Sequence, residues 1–353
     1  MRNLIKLIFL FIAISGNSQT NYELVWADEF DGNGAIDANN WHHQTELPAG
    51  GNWYNGEIQH YTNREINANQ SNGTLKIVAK KEVYTDQGVS KQYTSARLNS
   101  KVAFTYGRVE VRAKLPFGLG TWPAIWTLGK NIIEPGAYWS STFGTAFWPA
   151  CGEIDIMEHW GANQNFVQSA LHTPSSFGGT INLGGQNVNN VSTEFHTYEL
   201  EWTSEEMIFS VDGIVHYIYN PPIKDANTWP FDTDQYILLN VAILPDSFPS
   251  FTEDAMEVDY VRVYQKTVLG TNDIADSDLV EFANPVDDTL RIRIPKQLTG
   301  SMVRIYNLQG RQQIGVVLAE EFTLIDTSSF ASGLYIMKII GPNGIFTKKI
   351  LKN

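Results

Sequence analysis

Cysteine is almost missing from this sequence: Cys151 is the only one in 353 residues. One thiol can neither close an intrachain disulfide nor build a cysteine-rich zinc site. Cations are scarce as well, with 25 Lys and Arg against 38 Asp and Glu and a formal charge of -13. A nucleic-acid binder needs a basic patch to displace counterions, so no nucleic-acid partner is expected. A neutral polymer stays open as a ligand. No segment carries a sustained apolar stripe of helical period, which speaks against a helical bundle. Only the N-terminus is strongly apolar. Met1–Ile14 reads MRNLIKLIFLFIAI, two cations and an apolar run, followed by small and polar residues. That layout predicts a signal peptide over residues 1–18, too short to span a bilayer comfortably. The protein is therefore expected to be exported.

What is present is an all-β texture and an excess of aromatic residues. Apolar residues make up 43% of the chain, enough for a substantial core. Gly107–Lys114 alternates polar and apolar residues, as a half-buried strand does. Leu75–Lys80, Glu199–Trp202, Ile208–Val211, Tyr236–Val241 and Val258–Tyr264 read the same way, and Asp212-Gly213 marks a hairpin. Many short strands with Gly and Pro turns predict a sandwich or barrel. A polar stretch, 267–278, reads as a linker between a first domain, 21–266, and a tail, 279–353. All ten Trp lie between Trp26 and Trp229. Residues 21–275 carry 30 acidic against 14 basic side chains, and residues 276–353 carry 8 against 9. The tail also reads as strands, at Leu290–Ile294, Met302–Tyr306, Leu334–Ile340 and Ile345–Ile350.

The densest chemistry lies in Trp148–Gly161, WPACGEIDIMEHWG. Glu153 and Asp155 are two apart, so they share one face of a strand. Glu158 would point to the other face, into the core, where an unpaired carboxylate is expensive. A β-bulge between Asp155 and Glu158 resets the alternation and brings all three acids to one face. Crowding raises the pKa of at least one and keeps another ionised. Two carboxyls in different protonation states are what glycosidic cleavage needs, and the strand span favours the retaining geometry. A solvated acidic face or a calcium site would also use such residues, though calcium loops usually place Gly and Asn, not Ile and Met, between ligands.

GEIDIME resembles the bulged active-site strand of glycoside hydrolase family 16. Other segments match in order: Trp26–Phe30, Asn55–Thr62, Ser95–Arg97, Gly107–Ala113, Gly120–Trp126, His196–Trp202, Asp212-Gly213 and Met256–Gln265. The resemblance implies a concanavalin A-like jelly-roll β-sandwich over residues 21–266, with a small C-terminal β-sandwich behind it. It implies a laminarinase-type endo-1,3-β-glucanase that takes β-1,3-glucan by double displacement and works as a monomer. Glu153 then matches the nucleophile, Glu158 the acid/base and Asp155 the helper. Trp122, Trp126 and Trp160 match aromatic platforms; Asn55, Glu57, Arg97 and His172 match polar cleft positions. No cofactor is implied for catalysis. A structural calcium is implied at Glu29, Gly73 and Asp259, against a salt bridge from Asp259 to Arg262 or a neighbour. A mixed-linkage glucan or agar-type galactan remains an alternative substrate, and a glucan-binding lectin an alternative class. Ile243–Pro249 departs from the family's usual loop, which leaves the cleft rim open. Asn284–Lys352 resembles the C-terminal sorting domain of type IX secretion, whose machinery would be its partner.

Overall fold

The computed structural model describes residues 21–247, 250–267, 280–307, 311–341 and 344–353. The expected signal peptide and nearly all of the expected linker lie outside them. The chain divides into two compact units, Tyr22–Lys266 and a second that includes Thr267–Asn353.

The larger unit is a sandwich of a ten-stranded and a seven-stranded sheet. Each strand read from the sequence lies inside a strand of the structure, and Gly107–Lys114 has the same bounds. Alternation explains the layers. Val109, Val111, Leu200, Phe209 and Val261 of the larger sheet meet Leu98, Ile125, Ile154, Val167 and Leu239 of the smaller one in a single core cluster. Asp212 and Gly213 both have positive φ, 52° and 75°, which fits the tight hairpin between Met207–Val211 and Ile214–Tyr219.

The seven-stranded sheet runs in the order 183–187, 166–172, 153–158, 121–129, 235–243, 97–104, 41–43. Its inner side chains close the core, so every second outward side chain is free to face a ligand. Leu183–Asn187 gives no strand signal in sequence because two of its five residues are glycine. Gly184 is required there by a close approach: a Cβ at that position would meet the Tyr217 side chain at 2.7 Å and its ring at 2.8 Å. Gln235–Ile243 is buried along its whole length, with the core on one face. On the other face Tyr236 and Leu238 join Leu128, Ile132, Ala137 and Cys151 in a separate cluster. Cys151 is thus a packing residue, and burial raises its thiol pKa far out of the reactive range.

The C-terminal unit has a three-stranded and a four-stranded sheet. Leu290 and Ile292 of one share a core with Val303, Ile305, Met337 and Ile339 of the other. The four strands expected in the tail are present, together with Glu281–Phe282, Gln312–Val317 and Phe322–Asp326.

Candidate active site

The carboxylate strand is Glu153–Glu158, between Thr121–Gly129 and Phe166–His172. Against the first neighbour, Glu153, Asp155 and Glu158 pair with Leu128, Trp126 and Ala124. Against the second they pair with His172, Ala170 and Gln168, with a register break between Asp155 and Glu158. The bulge is where the spacing requires it. Ile154, Ile156 and Met157 all go to the core, and all three acids emerge on the outer face. They line one cleft of about 850 Å³.

Trp148 Nε1 donates to Glu153 Oε2 at 3.0 Å, and Trp122 Nε1 donates to Glu158 Oε1 at 3.1 Å. Asp155, 4% exposed, lies between them in sequence, and its Oδ2 has no aligned hydrogen-bond donor. His172 Nε2 stands 3.3 Å from that oxygen and 3.5 Å from Glu153 Oε1. His172 Nδ1 accepts the Gly178 N–H at 3.1 Å. That bond places the neutral ring's proton on Nε2, facing the acids. Glu153, Asp155 and His172 are near enough to hold a metal ion. A metal would need the Nε2 lone pair, however, and would set Nδ1–H against Gly178 N–H, so the grouping does not suit one.

Burial is the main cause of the electrostatics. It pushes Asp155 up to about 8. Glu158 is raised to about 8 by burial and then by repulsion from Asp155. Glu153 is raised well above the carboxylate range by burial and then by Asp155. Protons are shared across such a set, and the nearby donors decide where negative charge rests.

The remaining expected residues take different places. Trp122 and Trp160 stack with ring centroids 5.5 Å apart. Trp126 donates Nε1 to Asn240 Oδ1 at 2.7 Å, Asn240 donates to Tyr61 Oη at 3.0 Å, and Tyr61 donates to Glu57 at 2.8 Å. Glu57 is therefore a buried anchor of this chain, not a surface residue, although it still borders the cleft. Burial raises its pKa. Asn55 is exposed on the rim, in a left-handed conformation with φ 56°. Arg97 lines the cleft, but its guanidinium donates to both oxygens of Glu134 at 2.9 Å and lies 4.8 Å from the Trp126 ring centre.

Sequence reasoning missed Glu134, Trp148, Gln168 and Asn240, all of which border the cleft. The Trp-Pro step beside the carboxylate strand could have pointed to Trp148. Glu134 sits in an irregular segment with no pattern to show its partner.

Residues 55–262 match the description "Glycosyl hydrolases family 16". The chain belongs to that family. A β-glucanase of Rhodothermus marinus is 39% identical over 265 residues, covering 69% of this chain and 86% of that protein. Among solved structures, LamAcat of Zobellia galactanivorans is 47% identical with a TM-score of 0.64, over 69% of this chain and 97% of that one. The laminarinase of Flavobacterium sp. UMI-01 is 38% identical with a TM-score of 0.60, over 69% and 100%. The family match together with these β-glucanase and laminarinase relatives makes the chain a glycoside hydrolase of jelly-roll fold, against the lectin alternative. Residues 282–353 match the secretion system C-terminal sorting domain, in agreement with the type IX reading of the tail.

The residues expected to hold calcium are engaged otherwise. Arg262 donates to both oxygens of Glu29, at 2.7 and 2.8 Å. Arg112, not Arg262, forms the ion pair with Asp259. Gly73, with Asn72, makes the positive-φ turn of a hairpin. Guanidinium groups already neutralise both carboxylates, so this side-chain set does not fit a cation.

Proposed function

We propose that the chain is an exported, retaining endo-1,3-β-glucanase acting on laminarin-type glucan. The observation that carries this is the bulge at Ile156, which turns three crowded carboxylates onto one face of an aromatic-lined cleft. Glu153 is the nucleophile. It accepts Trp148 N–H and lies 3.5 Å from His172 Nε2, contacts that stabilise its charge once the shared protons of the cluster rest on Asp155 and Glu158. Its attack on the anomeric carbon forms a glycosyl-enzyme and expels the leaving oxygen. Glu158, raised to about 8, is protonated at neutral pH and gives that oxygen its proton. It then takes a proton from the water that releases the sugar. Asp155 holds or yields a shared proton as Glu153 changes charge. The stacked Trp122–Trp160 pair gives pyranose faces an apolar platform beside the acid.

Similar proteins support the substrate: LamA of Z. galactanivorans has been solved, as a variant, with laminaritriose and laminaritetraose. The sorting tail supports export, with the secretion machinery as partner. Trapping with a fluorinated laminari-oligosaccharide, followed by peptide mapping, should label Glu153; a label elsewhere refutes the nucleophile. Laminarin, lichenan and agarose digests should show laminarin cleaved fastest, to short oligosaccharides with initial β configuration. Faster cleavage of lichenan or agarose would reassign the substrate, and an initial α product would overturn retention.

A further inference from the structure

We propose that Ser169 and His216 form an internal lock that sets the catalytic bulge, and that they act as positioning residues for Glu158. The inference rests on Glu158 being the acid/base. In the bulge, Ile156 and Met157 of one strand face a single residue of the next, because Asp155 pairs with Ala170 and Glu158 with Gln168. That single residue is Ser169, which is fully buried. A bulge leaves a backbone group outside the ladder, and a buried carbonyl without a partner is costly. Here Ser169 Oγ donates to the Ile156 carbonyl at 2.7 Å.

The hydroxyl has one proton and spends it on that carbonyl. His216 Nε2, 2.9 Å from the same Oγ, must therefore be the donor of the second bond. His216 comes from Ile214–Tyr219 in the opposite sheet, so the contact ties both layers to the bulge. Its Nδ1 faces the Gln186 side-chain amide at 3.4 Å, as a lone pair should. Burial lowers the His216 pKa to about 4, so the ring stays neutral and the lock keeps one hydrogen-bond pattern through the working range. Without the lock, the Ile156 peptide can turn to find another donor. Glu158, two residues on, would then lose its place on the outer face, whereas Glu153, before the bulge, would keep its own.

This asymmetry makes the test. A displaced Glu158 slows the first, glycosylation step for substrates whose leaving group needs a proton and spares that step for those whose leaving group does not. In the full chain, Ser169→Ala should lower kcat/KM on laminarin about tenfold, with kcat/KM on dinitrophenyl β-laminaribioside, which reports the glycosylation step alone, within about twofold. Ser169→Cys, nearly isosteric with a weak S–H donor, should fall between Ser169→Ala and wild type, which keeps the proposal testable if the alanine variant folds poorly. Equal losses of kcat/KM on both substrates in the cysteine variant, or unchanged kcat/KM on laminarin in either variant, would overturn the lock. Glu158→Ala with azide separates the underlying reading: azide should restore turnover of the dinitrophenyl glycoside. If azide fails to do so, the acid/base assignment fails; if it does so while Ser169→Ala matches wild type, only the lock fails.

Discussion

Arg97 and Glu134 are both buried at the cleft, and each has the other: Arg97 Nη2 donates to both carboxylate oxygens, and the charges are opposite. Asp155 and Glu158 are buried and Glu153 half-buried in the same cleft, where Trp148 and Trp122 donate to the outer two but no Arg or Lys pairs with any of the three among the described residues. The first arrangement satisfies its charges and orders a segment. The second leaves like charges crowded, with all three pKa values raised and one carboxylate oxygen lacking a donor. The fold tolerates that cost only where chemistry needs a shared proton. On the proposed mechanism, paired charge at this cleft is structural and unpaired charge is reactive.

The contrast can be broken most sharply on its reactive side. Glu153→Gln or Glu158→Gln should cut laminarin hydrolysis at least about 10³-fold while melting no earlier than wild type. Initial-rate assays and thermal denaturation on the same samples check this. On the paired side, Glu134→Ala should do the reverse. It leaves a guanidinium buried without its partner, at a cost of about 3–5 kcal/mol. Denaturant melts should show the loss, and the folded fraction should keep kcat within about threefold while KM rises. A smaller effect is expected at the platform. Trp160→Ala removes one ring of the stack and should raise KM about tenfold, measured on laminari-oligosaccharides, with kcat little changed.

The smallest effect sharpens the comparison through pH. Asp155 has a folded pKa of about 8 against an ordinary value of 3.8. Below the ordinary value both states are protonated and nothing is lost. As pH rises toward 8, the unfolded chain releases the proton and the folded chain keeps it, so stability falls. Asp155→Asn removes this group from the titration. It should melt a few °C above wild type at pH 8 and close to it at pH 4. An equal difference at both pH values would place the strain elsewhere.

The carboxylate strand was legible because local rules collide there. Glu158 lies five residues from Glu153, and only a bulge keeps it out of the core. The sandwich was legible from alternation at Gly107–Lys114 and its neighbours. Glu134 was hidden because its partner lies 37 residues away and neither local pattern mentions the other. Leu183–Asn187 was hidden because Gly184 reflects the Tyr217 ring above it, a tertiary cause with no strand signature. At Glu29 and Asp259 the acid types were visible, but Arg262 and Arg112, which neutralise them, come from register between strands. Long-range pairing is what a single sequence shows least.

One six-residue strand carries all three acids, whereas Trp148, Phe147 and Gly178 of the cleft wall come from irregular segments on either side of it. Trp148 and Gly178 serve the acids as well, through Glu153 and His172, whereas the wall around Phe147 is written apart from them. Exchanging 135–147 for another loop, with Glu134, Trp148 and Gly178 kept, would change which polysaccharide fits while the acids keep their donors, so the scaffold is a natural host for grafted specificities.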